Sequence, residues 1–392
     1  MATYNVYQSR WGAYALICLS HTLQHVFTQM HIALIPILRA ELGLDTVTIG
    51  ALASIPLLIQ AVFTIPSGLL ADRINRQRLI SVSLLLSAFG GIMMTFANSA
   101  QQLILFVCLF SVASTLIHPP ALSVIGDFAT AKNRGKILGF FGSAGTLGIA
   151  LGPLTLSLLL NTVGWRQVYL LWSIPALLML PLIFRLKIEA TDRPEKRQDE
   201  KSSTDLHILR NISLILLFVL MGTRSMGGNA INTYITPYFV DQLRIEPATA
   251  ILIFGLNPLM GVFASSISGI AVDRIKERKW LALSFVLQII SLLAVALSAN
   301  LSVTISGYLC YAFFGLMEMP AEQSIITKLI PRGGRGLAFS LSFLPSTIAG
   351  SFSPIFVAFV VGGWGIWFIF PYALTMLAMT TLILAFLWKR IR

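Results

Sequence analysis

An arginine stands inside a long apolar stretch of the chain. Arg224 is flanked by LFVLMGT and SMGGNAI, and at about 1.5 Å of rise per residue it lies about 21 Å from the start of the stretch 211–239. A charged side chain at that depth in a bilayer costs about 2.5–3.5 kcal/mol. Arg224 is therefore predicted to hold an anionic or polar group, with a structural ion pair as the alternative. Ser225, Asn229 and Asn232 follow it at helical spacing, which favours a polar surface facing a cavity.

Two glutamates in another apolar stretch are the natural partners of this arginine. Glu318 and Glu322 are four residues apart and share one face of a helix, and Pro320 between them can free backbone carbonyl groups. A carboxylate in low-dielectric surroundings is a suitable group to load and release a proton. We therefore predict that Glu318 carries a proton and that Glu322, nearer the cytoplasmic end, is a gate residue.

Histidines form a third group of candidates. His21, His25 and Gln29 recur at intervals of four residues, which predicts one polar face on the first apolar stretch, and His118 lies in the fourth. Imidazole changes its charge near neutral pH, which suits a proton or anion site; interior hydrogen bonding is the alternative. A His-x3-His pair can also hold a transition metal, but no thiolate or nearby acid completes such a site. We predict no metal, and we expect His25 and His118 to line the substrate site.

The composition shows which elements must position these residues. Of the 392 residues, 56% are apolar and 11% are charged, and the mean hydropathy is +0.80. A soluble domain carries about 25% charged residues, so a soluble enzyme, a nucleic-acid module and a disordered chain are excluded. Strand-like alternation is missing, and lipid then leaves helices. Twelve stretches are long enough to cross a hydrocarbon core of about 30 Å: 12–38, 47–70, 79–97, 102–126, 137–160, 165–185, 211–239, 249–271, 280–299, 302–327, 336–361 and 365–388.

The basic residues predict the orientation of these helices. If the N-terminus and every even-numbered gap lie on one side, that side holds 24 of the 28 Lys and Arg residues, and the other holds Arg39, Arg166 and Arg244. This positive-inside pattern places both termini in the cytoplasm. The net charge of +12 is thereby explained without nucleic acid or another acidic partner. We expect a multi-pass protein of the cell membrane, the inner membrane in a bacterium, acting as a monomer in the lipid bilayer.

An internal repeat divides the chain in two. GLLADRINRQR at 68–78 recurs as GIAVDRIKERK at 269–279, an offset of 201 residues, and the same offset places His118 opposite position 319. We therefore predict two pseudo-symmetric six-helix bundles, 1–185 and 211–392, joined by the polar cytoplasmic linker 186–210. Parallel six-helix halves of this kind are a transporter architecture.

The first copy of the repeat resembles the signature loop of the major facilitator superfamily, with Asn75 where a Gly is usual. The resemblance covers the whole chain and implies that family's twelve-helix fold. It also implies a cytoplasmic latch in which Asp72 faces the eleventh helix and Arg73 pairs with Asp127. The residues that it assigns to the latch in both halves are Gly68, Asp72, Arg73, Arg76, Asp127, Asp273 and Arg274.

Two narrower resemblances concern the direction of transport. Gly139, Gly148 and Gly152-Pro153 keep the spacing of the family's exporter motif, without its closing Gly-Gly. Small residues of this kind let helices approach closely, and Pro bends the helix. His21, His118-Pro119 and Arg224-Ser225 are similar to positions in fosmidomycin-resistance-type exporters, which implies drug:proton antiport. That match departs at Pro120, where the group has Glu, and at His25.

Together these patterns predict a proton-coupled secondary transporter that works by alternating access. It is expected to export a small organic molecule, anionic or drug-like, and import of a small organic anion or nutrient is the alternative. No G-x4-G-K-[ST] loop is present, so the proton gradient, rather than ATP or a bound cofactor, is expected to drive it. No catalytic constellation indicates an enzyme, and the linker is too short to be the output domain of a receptor.

Overall fold

The computed structural model describes residues 10–128, 133–186, 211–329, 335–388 and 390. All regular structure in these ranges is helical. The helices are α1 (Arg10–Val26), α2 (Met30–Ala33), α3 (Ile35–Leu42), α4 (Thr46–Arg73), α5 (Arg76–Met94), α6 (Ala100–Phe128), α7 (Arg134–Val163), α8 (Trp165–Phe184), α9 (Ile212–Asp241), α10 (Pro247–Arg274), α11 (Glu277–Leu297), α12 (Leu301–Leu316), α13 (Met319–Leu329), α14 (Arg335–Trp364) and α15 (Ile369–Leu387), with a 3-10 turn at Ile366–Phe368.

Eleven helical segments of the described chain are long and apolar enough to cross a membrane, and one of them combines α12 and α13. This confirms the all-α polytopic fold. The predicted first span is different, because α1, α2 and α3 are separated by short breaks. The hydroxyl of Thr28 donates to the carbonyl of His25 at 2.7 Å just after α1 ends. Pro36 lies in the first turn of α3 and has no N–H with which to continue α2.

Asparagine side chains begin several of the helices. Asn75, before α5, accepts a hydrogen bond from the backbone N–H of Gln77 at 2.8 Å. Asn211 and Asn300 do the same before α9 and α12. An asparagine in this position satisfies an N–H that would lack a partner in the first turn. The helix that begins after Asn211 contains Arg224, and the helix that begins after Asn300 ends two residues before Glu318.

One compact unit consists of the described parts of residues 1–44, 58–193 and 246–255. In it α5 packs against α6 and α8, and α1 packs against α7. Its core is apolar. The fully buried members of one cluster in this core are Ile17, Ile80, Leu84, Ile117, Ala121, Ile125 and Ile183. This unit, which we call unit 1, contains the three candidate histidines.

The second compact unit, unit 2, consists of the described parts of residues 45–57, 194–245 and 256–392. Here α9 packs against α14 and α15, and α11 packs against α12. The start of α4 belongs to this unit, where the hydroxyl of Ser54 accepts a hydrogen bond from the N–H of Ile355 at 3.0 Å. Unit 2 contains Arg224 and both candidate glutamates.

The two units and the two predicted sequence halves have different boundaries. Residues 45–57 belong to unit 2, and residues 246–255 belong to unit 1. The division of the chain into duplicated halves stays a prediction. The predicted linker, apart from Leu186, lies outside the described residues.

Candidate functional site

Arg224 forms ion pairs with both predicted glutamates. Its Nε lies 2.8 Å from Oε2 of Glu318 and 3.1 Å from Oε1 of Glu322. Its Nη2 donates to Oε2 of Glu322 at 3.3 Å. The structure therefore brings these three predicted residues together, and we call them the Arg–Glu site.

Glu318 lies at a break between two helices. α12 ends at Leu316 and α13 begins at Met319. Pro320, in the first turn of α13, has no N–H to donate to the carbonyl of Leu316. Helical hydrogen bonding resumes when the N–H of Glu322 donates to the carbonyl of Glu318 at 3.0 Å. The restart places the two carboxylates one turn apart, and both reach the same guanidinium group.

Two polar residues of α11 complete the surroundings of Glu318. The amide nitrogen of Gln288 donates to Oε1 of Glu318, and the hydroxyl of Ser284 donates to the same oxygen at 3.4 Å. Neither residue was predicted from the sequence. Their spacing of four within the apolar stretch 280–299 was the signal that would have indicated a shared polar face.

The Arg–Glu site is unevenly buried. The side chain of Arg224 is 27% exposed, whereas those of Glu318 and Glu322 are 1% and 5% exposed. With both carboxylates ionised, the site carries one more negative than positive group. One added proton makes it neutral, so the arrangement is chemically suited to exchange a proton.

The polar strip that follows Arg224 partly serves helix packing. The side-chain amide of Asn229 donates to the backbone and hydroxyl oxygens of Ser225 at 3.0 and 3.1 Å. A Cβ on Gly350 of α14 would come within 2.6 Å of both side chains. Ser225 and Asn229 therefore face α14, while Asn232 is partly exposed further along α9.

The three predicted histidines converge in unit 1. The Nε2 atom of His21 lies 3.0 Å from that of His25 and 3.3 Å from that of His118. The Nε2 atoms of His25 and His118 are also 3.3 Å apart. We call these residues the histidine cluster. Three imidazole nitrogens at this spacing form a donor set that could hold a metal ion; the prediction of no metal was made from the His-x3-His pair without the third ring.

Backbone carbonyl groups orient two of the three rings. His21 Nδ1 lies 3.1 Å from the carbonyl oxygen of Phe141, and His118 Nδ1 lies 2.5 Å from that of Ser114. Because a carbonyl oxygen can only accept, each Nδ1 is the donor and each Nε2 presents a lone pair. The ring of His21 also stacks on Phe141, with centroids 4.0 Å apart.

Gln29 does not continue the polar face of the two α1 histidines. α1 ends at Val26, and Gln29 lies at the N-cap of α2. The prediction of one helical face from His21 to Gln29 is therefore wrong, because the helix stops between them. His31, on α2, is buried and lies outside the histidine cluster.

The glycines of the predicted exporter motif differ in their surroundings. A Cβ on Gly148 or Gly152 would collide with backbone atoms of α1, whereas one on Gly139 would meet no described atom within 4 Å. Pro153 is buried inside α7. Gly148 and Gly152 therefore allow the close approach of α7 to α1, as small residues do in membrane helices.

The predicted latch residues lie at helix ends. Gly68 and Arg73 are in the last turns of α4, Arg76 begins α5 and Arg274 ends α10. Arg73 and Arg274 are exposed. The side chains of Asp72, Asp127 and Asp273 lie outside the described part of the chain, so the pair between Arg73 and Asp127 stays a prediction.

An ion pair in unit 2 joins α13 to the end of the second copy of the repeated sequence, residues 269–279. Lys328 Nζ lies 2.7 Å from Oε1 of Glu277, at the start of α11. Ser324 donates its hydroxyl to the same carboxylate oxygen at 2.7 Å. This contact was not predicted from the sequence, because both partners are ordinary charged residues at the ends of apolar stretches.

Known proteins resemble the chain over its full length. The family model described as the Major Facilitator Superfamily matches residues 17–317 and residues 217–392. The structure of a bacterial homolog to the human lysosomal transporter Spinster, in an inward-facing and occupied conformation, has a TM-score of 0.79 at 16% identity and covers 98% of each chain. At that identity the likeness shows the fold.

Relatives in sequence have several different substrates in their names. The riboflavin transporter RibZ of Clostridioides difficile (strain 630) is 20% identical, over 87% of each chain. A probable L-galactonate transporter of Escherichia coli (strain K12) is 29% identical, over 34% of this chain and 29% of that protein. The quinolone resistance protein NorB of Staphylococcus aureus (strain JH9) is 29% identical, over 40% of this chain and 34% of NorB.

These matches agree with the helical fold and the apolar spans. The family consists of transporters rather than enzymes. The chain belongs to the major facilitator superfamily and is a multi-pass membrane transporter of small organic molecules.

Proposed function

We propose that this transporter exports a small organic molecule in exchange for protons and that Glu318 carries the proton. The observation that carries this proposal is the pairing of Arg224 with two carboxylates inside unit 2. Buried charges must be paired or neutralised, because an uncompensated one costs several kcal/mol. A proton, or a substrate with a positive or polar group, can therefore compensate the excess negative charge of the site.

Glu318 suits the proton-carrying role better than Glu322. Its carboxyl group contacts Arg224 at one oxygen and Gln288 at the other. Glu322 contacts only Arg224 among the described polar contacts of its carboxylate, through both oxygens. A proton on Glu318 leaves Arg224 paired with Glu322, so the arginine remains neutralised in both states.

The pairing also bears on the charge of the substrate. A free Arg224 would attract an anion, as the sequence analysis expected. With two carboxylates beside it, the site favours a neutral or cationic drug-like molecule that competes with the proton for Glu318. Competition for one group is the requirement for antiport, because proton and substrate then occupy the site in turn.

Two further observations favour export. One is the similarity to the quinolone resistance protein NorB, because a transporter that gives resistance removes the toxic compound from the cell. Gly148 and Gly152 keep the exporter spacing and make close contact with α1. The proton gradient supplies the energy without a bound cofactor, and the protein works as a monomer in the cell membrane with both termini in the cytoplasm.

Import of an organic anion together with a proton is the second candidate. The side chain of Arg224 is 27% exposed while its partners are buried. A proton on Glu318 would weaken the hold of that carboxylate on the guanidinium, which could then bind an anion. Proton and anion would bind together, which is the requirement for symport.

Growth of efflux-deficient cells on a panel of toxic compounds tests the export proposal. Cells that produce the wild type should gain resistance to at least one compound, and cells that produce Arg224→Ala or Glu318→Gln should not. Glu41→Gln, which alters an exposed carboxylate in unit 1, is the matched control and should behave as wild type. Sensitisation by the wild type would contradict export.

Proton release separates the two candidates. Addition of the identified compound to purified protein in weakly buffered detergent should release protons if the compound competes with the proton on Glu318. A symporter should take protons up. Glu318→Gln should abolish the signal in either case, and an unchanged signal in that variant would contradict the assignment of the proton carrier.

A further inference from the structure

We propose that the histidine cluster is a binding site for a first-row divalent transition metal ion, with Zn²⁺ as the probe ion. The three Nε2 atoms lie 3.0, 3.3 and 3.3 Å from one another. Zinc–imidazole bonds are about 2.0–2.1 Å long, so two imidazole nitrogens on a tetrahedral zinc are about 3.3 Å apart. The nitrogens are therefore already at the spacing that one shared ion requires.

The tautomers of two rings leave a lone pair on each Nε2 atom of the cluster. His21 and His118 donate their Nδ1 hydrogens to backbone carbonyls, so neither Nε2 carries a hydrogen in the neutral ring. Two lone pairs 3.3 Å apart repel each other unless a hydrogen or a cation lies nearby. Hydrogen bonds from the outer ring nitrogen to carbonyl groups are also how metal-binding histidines are usually held.

The third ring leaves room for either a proton or a metal. His25 Nδ1 is buried and has no hydrogen-bond partner among the residues that the structure describes. No donor or acceptor therefore fixes its tautomer, and its Nε2 can present a hydrogen to its neighbours or a lone pair to an ion. His25 and His21 are four residues apart on α1, the spacing at which two helical histidines bind one zinc ion.

The surroundings keep the rings in place before any ion binds. A Cβ on Gly145 would lie 2.5 Å from Cε1 of His21, and one on Gly148 would lie 2.9 Å from Cβ of His25. These glycines make the space that the α1 histidines occupy, and Phe141 stacks on His21. Preorganised rings of this kind lose little freedom on binding an ion.

The three neutral ligands determine which metal ion the site prefers and leave its fourth coordination position free. The described residues add no carboxylate or thiolate to the cluster, and imidazole suits zinc, copper and nickel better than magnesium or calcium. The bound ion would keep its charge and a fourth position for water or an anion. His25 and His118 are partly exposed, which gives the ion access. The inference does not depend on the Arg–Glu site, which belongs to unit 2.

Zinc titration of the purified full-length protein tests the inference. The protein is purified without a polyhistidine tag, stripped with a chelator and titrated in competition with a chromophoric zinc indicator. Wild type should bind one Zn²⁺ per chain. His118→Gln should bind it at least about 100-fold more weakly, since even loss of an outer partner costs 10–100-fold. His31 is a buried histidine outside the cluster, so His31→Gln should bind Zn²⁺ with wild-type affinity.

Cobalt spectroscopy of the wild type keeps the test independent of how the variants fold. Co²⁺ in a four-coordinate imidazole site gives intense visible absorption, and Zn²⁺ should displace it. Absence of this absorption, or equal zinc affinity in wild type and His118→Gln, would overturn the inference. In that case the three rings would share a proton through hydrogen bonds instead.

Discussion

The Arg–Glu site of unit 2 and the histidine cluster of unit 1 use related positions of the repeat in different ways. The repeat offset places His118 opposite position 319, next to Glu318. α6 continues through His118 and the two prolines after it, whereas the corresponding helix is interrupted between α12 and α13. The unbroken helix carries an imidazole, and the break between the other two helices carries a carboxyl group.

The difference shows how the partners of a buried polar residue determine its chemistry. Glu318 has a permanent cation beside it and a second acid next to that, so its site changes charge by gaining or losing a proton. Among the described residues, the cluster of His118 contains two other imidazoles and no carboxylate or thiolate, so its donor groups carry no permanent charge. A group of neutral donors can accept a cation, whereas a buried charge that is paired resists the loss of its partner.

Removal of Arg224 should have the largest effect. Arg224→Ala leaves two buried carboxylates side by side and should lower the free energy of unfolding by about 3–5 kcal/mol. Proton-driven transport should be lost. Thermal unfolding of the purified protein and transport in vesicles measure the two effects.

A triple variant separates stability from function. Arg224→Met with Glu318→Gln and Glu322→Gln removes every charge of the site, so unfolding should return to within about 1 kcal/mol of wild type. Transport should stay absent. Recovery of transport in this variant would show that the Arg–Glu site is a structural ion pair.

Loss of the Gln288 amide should lower the free energy of unfolding by less than loss of Arg224, but by more than loss of a similar amide in unit 1. Gln288→Leu removes a hydrogen bond to a charged group and should cost about 1.5–3 kcal/mol of unfolding free energy. Gln24, also buried, donates to the neutral carbonyl of Phe110 at 3.4 Å. Gln24→Leu should cost about 0.5–1.5 kcal/mol, and equal costs would contradict an ionised Glu318.

The glycines of α7 should matter according to what each one faces. Gly148→Ala forces a methyl group against the backbone of α1 and should cost about 1–3 kcal/mol, as overpacking does. Gly139→Ala, which meets open space, should leave stability unchanged or raise it by about 0.5–1 kcal/mol. Thermal unfolding of both variants tests this. Equal losses would show that the exporter spacing does not act through contact with α1.

Much of the fold follows from the sequence, because a bilayer imposes the same length and apolarity on every span. The breaks in the first span were not predicted, because a segment interrupted at residues 27–29 is as apolar as an unbroken helix. The pairing of Arg224 with Glu318 was predictable for a related reason: a buried cation needs an acid, and few acids lie at membrane depth.

The histidine cluster and the role of Gln288 were harder to predict. The meeting of His118 with His21 depends on how α1 and α6 are rotated about their axes, and the hydropathy pattern does not determine this rotation. Gln288 and Ser284 can bond within their own helix, so nothing in the sequence required a partner on another one. A polar residue that can form hydrogen bonds within its own helix therefore predicts a tertiary contact less strongly than a buried charge, which needs a partner on another helix.

The smallest expected effect concerns an exposed ion pair that serves as a counterpart to the buried one. Glu41, at the end of α3, lies 2.5 Å from Arg166 and accepts a hydrogen bond from the indole of Trp165 at 2.9 Å. Both charged side chains are partly exposed, at 36% and 25%. Glu41→Gln should therefore cost only about 0.2–1 kcal/mol of unfolding free energy, and less in high salt.

The pH dependence of this pair has a definite direction. Partial burial raises the pKa of Glu41, but the hydrogen bonds from Trp165 and Arg166 and the charge of Arg166 together lower it by more, so the net pKa lies below the ordinary value of 4.5. A lowered pKa in the folded state contributes stability above pH 4.5 that is lost as the pH falls through the folded value. The difference in thermal unfolding between wild type and Glu41→Gln should accordingly be present at neutral pH and vanish in acid. A difference in stability that persists in acid would mean that Glu41 acts through packing instead of through its charge. The small effect of the exposed pair, compared with the Arg224 site, could then not be attributed to solvent screening alone.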